Sequence, residues 1–476
     1  MRVATRRLRF TVAVAGGLIC AGTVLPATAA ARASGAGPVD AEHLLEPEDR
    51  RPREEPSVAV DPADPRHVVV AAMQFARSYD ALFVSGYSPR ARVWASTTGG
   101  RAYRALAELP TQPGAGAVTT DPRLVWSRDG ALFAVYTSAA KEYSKTPDPA
   151  DGLYLARSTD GGRHWQRRAR VAGRACGAPS LPLVALDPRR HGVYVAWTQS
   201  VEPKCDGADD LSKAQLRLAR STDGGEHFSA PVVVTDGGLG RSPGLAVAPD
   251  GTVLVSYVTG GTVSVGDPDC PGAQESVEVR RLSPTGRLIG VARPVPVECI
   301  AYGGLFGNGA AFEPVFDPVM SVDPDTGAVL LATCFQNYTQ SGLVTATSLD
   351  AGRSWRQTVV TGGPGTAASM PSLAAVARGK LAMAWLEVSG GGIYQPVLAF
   401  TADDGATWGP AVPLATLPSQ GNTHPQTGYD PHGFGKYLGL AVGRDGRVHA
   451  AWPDLRPQPD AGNGNVDIWT RDLASD

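Results

Sequence analysis

Ala156-Arg157-Ser158-Thr159-Asp160-Gly161-Gly162-Arg163-His164-Trp165 comes back along the chain as Ala219-Arg220-Ser221-Thr222-Asp223-Gly224-Gly225-Glu226-His227-Phe228. Ser348-Leu349-Asp350-Ala351-Gly352-Arg353-Ser354-Trp355 and Thr401-Ala402-Asp403-Asp404-Gly405-Ala406-Thr407-Trp408 are weaker copies. Ser96-Thr97-Thr98-Gly99-Gly100-Arg101-Ala102-Tyr103 is a decayed one ahead of them. Each reads as a hairpin turn: the hydroxyl and the Asp carboxylate can bond the turn's own amides, Gly supplies a positive φ, and the closing aromatic can pack beneath. The interval from Asp223 to Asp350 is about twice the others, and a degenerate copy at Ser283-Pro284-Thr285-Gly286 fills it.

Ahead of each turn runs a second pattern, an apolar strand, an Asp/Gly turn and another apolar strand. Pro182-Leu183-Val184-Ala185-Leu186-Asp187 leads into Val193-Tyr194-Val195-Ala196-Trp197, and Gly244-Leu245-Ala246-Val247-Ala248-Pro249-Asp250-Gly251 into Val253-Leu254-Val255-Ser256-Tyr257. Seven units can be counted, with first strands near Val58, Leu124, Val184, Leu245, Met320, Leu373 and Leu440. Each supplies four strands, the last two flanking the Asp-bearing turn. Four-stranded antiparallel sheets repeated radially are propeller blades. The expected fold is therefore all-β, a seven-bladed β-propeller that fills residues 55–476 as a single domain. The last unit breaks off after Asn465-Val466-Asp467-Ile468-Trp469-Thr470, and its outer strand is expected from Glu42 to Leu45, within the N-terminal segment 30–54.

The composition agrees. With 56 Gly and 39 Pro in 476 residues, turn-forming residues reach about a fifth of the chain against a usual eighth, which argues against a long helical bundle. The 44 basic and 46 acidic residues leave a net charge of −2, which argues against an electrostatic nucleic-acid binder. Arg2, Arg6, Arg7 and Arg9 precede an apolar stretch from Phe10 to about Leu25, and Ala27-Thr28-Ala29 offers a small-x-small cleavage site. Residues 1–29 thus read as a signal peptide, and a secreted, extracellular monomer is expected. No later apolar run is long enough to span a bilayer.

The repeated turns resemble the Asp-box, or BNR, repeat of the sialidase superfamily, over most of the chain from roughly Glu55 to Asp472. The resemblance implies an Asp-box propeller, with the sialidase-type six-bladed ring as the alternative to seven. It also implies that Asp160, Asp223, Asp350 and Asp403 are structural, because in that family these turns lie on the far side of the blades. Sialidases hold the substrate carboxylate with three arginines and use a Tyr nucleophile activated by Glu, with an Asp as acid/base. Their first arginine stands just before the first inner strand. In this chain that place reads Arg53-Glu54-Glu55-Pro56-Ser57-Val58-Ala59. Carried over, the resemblance makes Arg53, Arg241 and Arg456 the anion contacts, Tyr437 the nucleophile and Asp80 the acid.

Independently of the family, the ligand face of a propeller is built where the chain arrives at the inner strands. Those arrivals read Glu55-Pro56, Asp121-Pro122, Leu181-Pro182, Arg241-Ser242-Pro243, Asp317-Pro318, Met370-Pro371 and Lys436-Tyr437. One end of the axis is therefore expected to carry Glu55, Asp121, Asp317, Arg241, Lys436 and Tyr437. Such a set suits glycosidic chemistry or a bound cation. Cys176 with Cys205, and Cys270 with Cys299, are two pairs with equal spacing in loops of the same face and are candidate disulfides in a secreted chain, leaving Cys334 over. His424 and His432 lack a recognised zinc spacing. Calcium is a candidate ligand at Cys205-Asp206-Gly207-Ala208-Asp209-Asp210, although that loop lacks an EF-hand pattern. Asp454-Leu455-Arg456 reads as a local ion pair that still leaves Arg456 a route to the ligand face. Three readings follow: a propeller that recognises an extracellular glycan or glycoprotein, a glycoside hydrolase, and a structural or adhesive wall protein.

Overall fold

The computed structural model describes residues 41–49, 51–75, 89–112, 117–140, 148, 150–173, 177–201, 210–235, 241–259, 274–298, 317–336, 341–363, 367–389, 393–420, 437–454, 456 and 466–474. Among them are seven antiparallel sheets and no helix. Blade 1 is Arg53–Val60, Val68–Gln74, Arg90–Ser96 and Arg104–Ala105; blade 2 is Val118–Trp126, Leu132–Ala139, Gly152–Ser158 and Arg167–Gly173. Blade 3 is Pro179–Leu186, Val193–Val201, Asp210–Ser221 and Val232–Val233; blade 4 is Arg241–Val247, Val253–Thr259, Gln274–Leu282 and Leu288–Glu298. Blade 5 is Val319–Val322, Val329–Gln336, Ser341–Ser348 and Arg356–Gly363; blade 6 is Ala367–Ala377, Lys380–Ser389, Ile393–Thr401 and Val412–Pro413, with Ser419–Gln420 also pairing its third strand. Blade 7 takes Gly439–Val442, Arg447–Asp454 and Asp467–Ala474, and its outer strand is His43–Leu44 from the other end of the chain.

Each first strand packs against the first strand of the next blade, and that of blade 7 against that of blade 1, so the ring is closed with seven blades rather than six. All seven predicted first strands are inner strands. The core lies between the blades rather than within them, because each sheet buries both faces. Leu254 of blade 4, Leu331 of blade 5 and Met383 and Trp385 of blade 6, for example, share one apolar layer. Second strands are accordingly the most apolar, and that of blade 1, Val68–Gln74, is buried at every position.

The repeated turns join third to fourth strands and hold themselves together. Asp350 accepts bonds from Ser348 Oγ (2.8 Å), the Arg353 and Ser354 amides (2.9 and 2.8 Å) and Ser354 Oγ (2.6 Å). Asp160, Asp223 and Asp403 repeat the arrangement. In the decayed copy Thr98 stands in for the carboxylate and accepts the Ala102 amide at 3.1 Å. Gly352 has φ 81°, and a Cβ there would stand 2.4 Å from Leu254 Cδ2 of the preceding blade. Only glycine can hold that backbone and make that approach.

Candidate functional site

The axial end of the ring is set by a backbone irregularity that recurs from blade to blade. Pairing between first and second strands slips between Glu54 and Ser57, Thr120 and Arg123, Ser180 and Leu183, Arg241 and Gly244, and Ser369 and Ser372. The displaced pairs are Glu55-Pro56, Asp121-Pro122, Leu181-Pro182, Ser242-Pro243 and Met370-Pro371. Proline has no N–H for the ladder and is tolerated at a bulge. Eight described non-glycine residues have positive φ, and five of them lie at this one level: Glu55 (57°), Asp121 (51°), Leu181 (51°), Met370 (52°) and Tyr437 (78°). Asp317-Pro318 stands at the same place before Val319 of blade 5. Backbone strain of this kind persists where the surrounding structure imposes it and gathers at ligand sites.

The ring brings Tyr437, Asp317, Glu55, Asp121 and Arg123 together. Burial pushes the Tyr437 phenol well above its ordinary range, the charge of Asp317 adds to that, Arg123 opposes it, and Glu55 and Asp121 add to it again. The guanidinium of Arg123 lies over the Tyr437 ring, 3.7 Å from its centroid, close enough for a cation–π contact. Its Nε is buried and finds no hydrogen-bond partner among the described residues. Thr120 Oγ1 donates to Asp121 Oδ2 at 3.0 Å, and one layer down Ser57 Oγ accepts the Leu124 amide at 2.9 Å, tying blade 1 to blade 2. Asp317 is also felt by Cys334, whose thiol is pushed up first by burial and then by that carboxylate. At neutral pH the site thus presents a protonated phenol, a stacked guanidinium and three carboxyl groups on one axis.

Two of the expected anion contacts have other work. Arg53 is 0% exposed; its Nη1 donates to Leu45 O and Asp467 Oδ1, both at 2.9 Å, and its Nη2 donates to Asp49 O at 2.8 Å. It fastens the N-terminal strand to blade 7 and cannot meet a ligand. Arg456 donates through Nε to Asp454 Oδ2 at 2.8 Å, pairs with Glu42 at 2.7 Å and lies 4.3 Å from the Trp469 ring centroid. It is a second fastening of the same segment. In blade 4 the bulge holds Ser242 and Pro243, and Arg241 pairs with Val258 just before it. Asp80, Lys436, His424, His432, Asp206, Asp209 and the cysteines Cys176, Cys205, Cys270 and Cys299 lie outside the described residues. Arg123 was not among the expected site residues.

Among the described residues, the side chains grouped closely enough to share a metal ion are Asp223, Glu226 and His227, all exposed. They belong to a repeated turn, where Asp223 already accepts Ser221 Oγ and the Glu226 and His227 amides. The axial carboxylates do not form such a group.

The fold is thus an all-β, seven-bladed propeller of antiparallel blades. The chain is 33% identical over 131 residues to a protein of Bacteroides fragilis named a sialidase, and the match covers 24% of each chain. It thus spans about a quarter of that relative's length. No family model matches the chain. Among solved structures it is similar to a Hadza microbial sialidase (14% identity, 81% of this chain and 73% of that one, TM-score 0.45). It is also similar to an α-L-arabinofuranosidase of Fusarium graminearum (12% identity, 92% and 98%, TM-score 0.47). None of these likenesses assigns a role to a residue.

Proposed function

We propose that the protein is a secreted, monomeric propeller that recognises an extracellular glycan or glycoprotein at the axial site. One observation carries the reading: Glu55, the neighbours Asp121 and Arg123, and Asp317 come from three different stretches of chain and all act on the Tyr437 phenol. An aromatic ring beside several hydrogen-bonding groups is the usual make-up of a small-molecule site. The sequence similarity to a sialidase supports a sugar as the ligand. The signal-like residues 1–29 support export. Binding to a glycan panel tests it, with Tyr437→Phe as the variant because it removes only the hydroxyl. Affinity should fall about tenfold, the worth of one hydrogen bond to a charged network. Unchanged binding would remove the ligand from the axis.

Glycoside hydrolysis is the second reading, favoured by the carboxylates around that phenol. Tyr437 Oη would attack the anomeric carbon while a carboxylate, Asp317 by its strong influence on the phenol, takes the proton. The departing sugar oxygen needs a proton from another acid, a part open to Asp121 or Asp80. Turnover of fluorogenic glycosides that vanishes in Tyr437→Phe would establish this chemistry. Turnover that persists would exclude Tyr437 as nucleophile.

A further inference from the structure

Glu55 reaches the axial level on a strained backbone, with φ 57° at a non-glycine residue, and strain of that kind lasts only where the surroundings impose it. Part of what imposes it stands two residues ahead. The Arg53 amide donates to Val466 O at 2.9 Å, just before the third strand of blade 7, and Pro52 O accepts the Phe75 amide at 3.0 Å. Blade 2 uses a simpler form of the same device. Thr119, two residues ahead of Asp121, donates its amide to Pro89 O at 3.0 Å, and its hydroxyl accepts the Ala91 amide at 2.7 Å, both beside the third strand of blade 1. Arg53 differs in what its side chain holds. Its guanidinium donates to Leu45 O, Asp49 O and Asp467 Oδ1, and the first two belong to residues 42–49.

That stretch is a strap laid over three blades. Glu42 accepts the Thr416 amide behind blade 6 and pairs with Arg456 beside blade 7 at 2.7 Å. Leu45 is fully buried in the layer between blades 7 and 1, with its amide on Ile468 O at 3.1 Å. Glu46 accepts Arg92 and the Trp94 indole of blade 1, both at 2.9 Å. The strap thus reaches the axial level by one short route, through Arg53 to Glu55.

We propose that Arg53 is a positioning residue for the axial site: it passes the docking of residues 42–49 on to Glu55 and keeps that backbone in the left-handed region. Any consequence for affinity rests on the glycan reading above, but the coupling itself is read without a sugar. Glu55 acts on the Tyr437 phenol, so the ring-carbon NMR signal of Tyr437, in the full chain labelled at tyrosine and identified by its loss in Tyr437→Phe, reports where Glu55 stands. Glu55→Gln fixes the direction of the shift. Arg53→Lys keeps the charge but loses the planar fork, and it should move the signal the same way. Glu42→Ala loosens the far end of the strap and should move it less, with faster amide exchange at Leu45 and Arg53. This second variant keeps the test decisive if Arg53→Lys melts early. Leu218→Ala opens a cavity in the core between blades 3 and 4, and should leave the signal in place because Glu55, Asp121, Arg123, Asp317 and Tyr437 all lie outside those blades. A signal unmoved in both strap variants, or moved as far by Leu218→Ala, would overturn the proposal. Since no sugar is present, its failure and that of the glycan reading are told apart.

Discussion

The joint between blades 4 and 5 and the joint between blades 7 and 1 use the same turn against opposite surroundings. At the first, Gly352 sits on Leu254. At the second, a Cβ on Gly100 would stand 3.3 Å from both His449 Nδ1 and Asp472 Oδ1. His449 and Asp472 are each 1% exposed, and burial pushes His449 down to about 4, so its ring is neutral near pH 7. At the axial end of the closing joint, Arg53, Glu46, Asp49 and Asp467 make a second charged cluster. The blade 4–5 joint thus seats its turn on an apolar side chain beside one hydrogen bond, from Arg281 Nε to Ala351 O at 2.8 Å, and apolar burial tolerates repacking, whereas the closing joint adds charged partners that fail when one is removed.

The largest break in this contrast should come from Arg53→Met, which strips Asp467 and two backbone carbonyls of their donor. A loss of about 3–5 kcal/mol is expected in denaturant titration, as for a buried pair deprived of one member. Leu254→Ala attacks an ordinary joint instead and should cost about 2–4 kcal/mol, through lost burial and a residual cavity. A larger loss at Leu254 than at Arg53 would reverse the ranking of the two joints.

The smallest effect is one of pH, and it has opposite sign at the two kinds of site. Burial raises Asp467 from 3.8 to about 7 against the opposing pull of Arg53. Between those values the native chain holds more protons than the unfolded one, so this contribution to stability is lost as pH rises towards 7. Asp403 is drawn down to about 2, its bonds from Thr407 and Thr401 outweighing burial. Its contribution is complete above the ordinary value of 3.8 and is lost as pH falls. Melting temperatures from pH 2 to 8 should show Asp467→Asn flattening the upper limb and Asp403→Asn the lower. A variant that flattens the other limb would sink the assignment.

The blades were legible because each repeats a period-2 strand pattern and a turn whose chemistry is complete within eight residues, as in Ser348 to Trp355. The axial level was legible too, since Pro56, Pro122, Pro182 and Pro371 mark where a ladder must break. The job of Arg53 was not, because its partner Asp467 lies 414 residues away and a local reading sees only Glu54 and Glu55 beside it. Arg123 was missed although it left a trace. At its place in the other six inner strands stand Ser57, Leu183, Gly244, Val319, Ser372 and Gly439, so it is the one charged residue of that level. Comparing the units position by position, rather than at their starts alone, would have exposed it.

His43 and Leu44 pair with Thr470 and Trp469, and the first of these pairs spans 427 positions of the chain. The strand that completes blade 7 must therefore wait, unpaired, until nearly the whole chain has followed it. Six blades can assemble from neighbouring strands, but the seventh needs a contact spanning almost the full length, the kind that slows folding most. Until then the outer edge of blade 7 offers open backbone to any extended chain nearby. The short strand at His43–Leu44 thus decides when the molecule ceases to be sticky and becomes a closed ring.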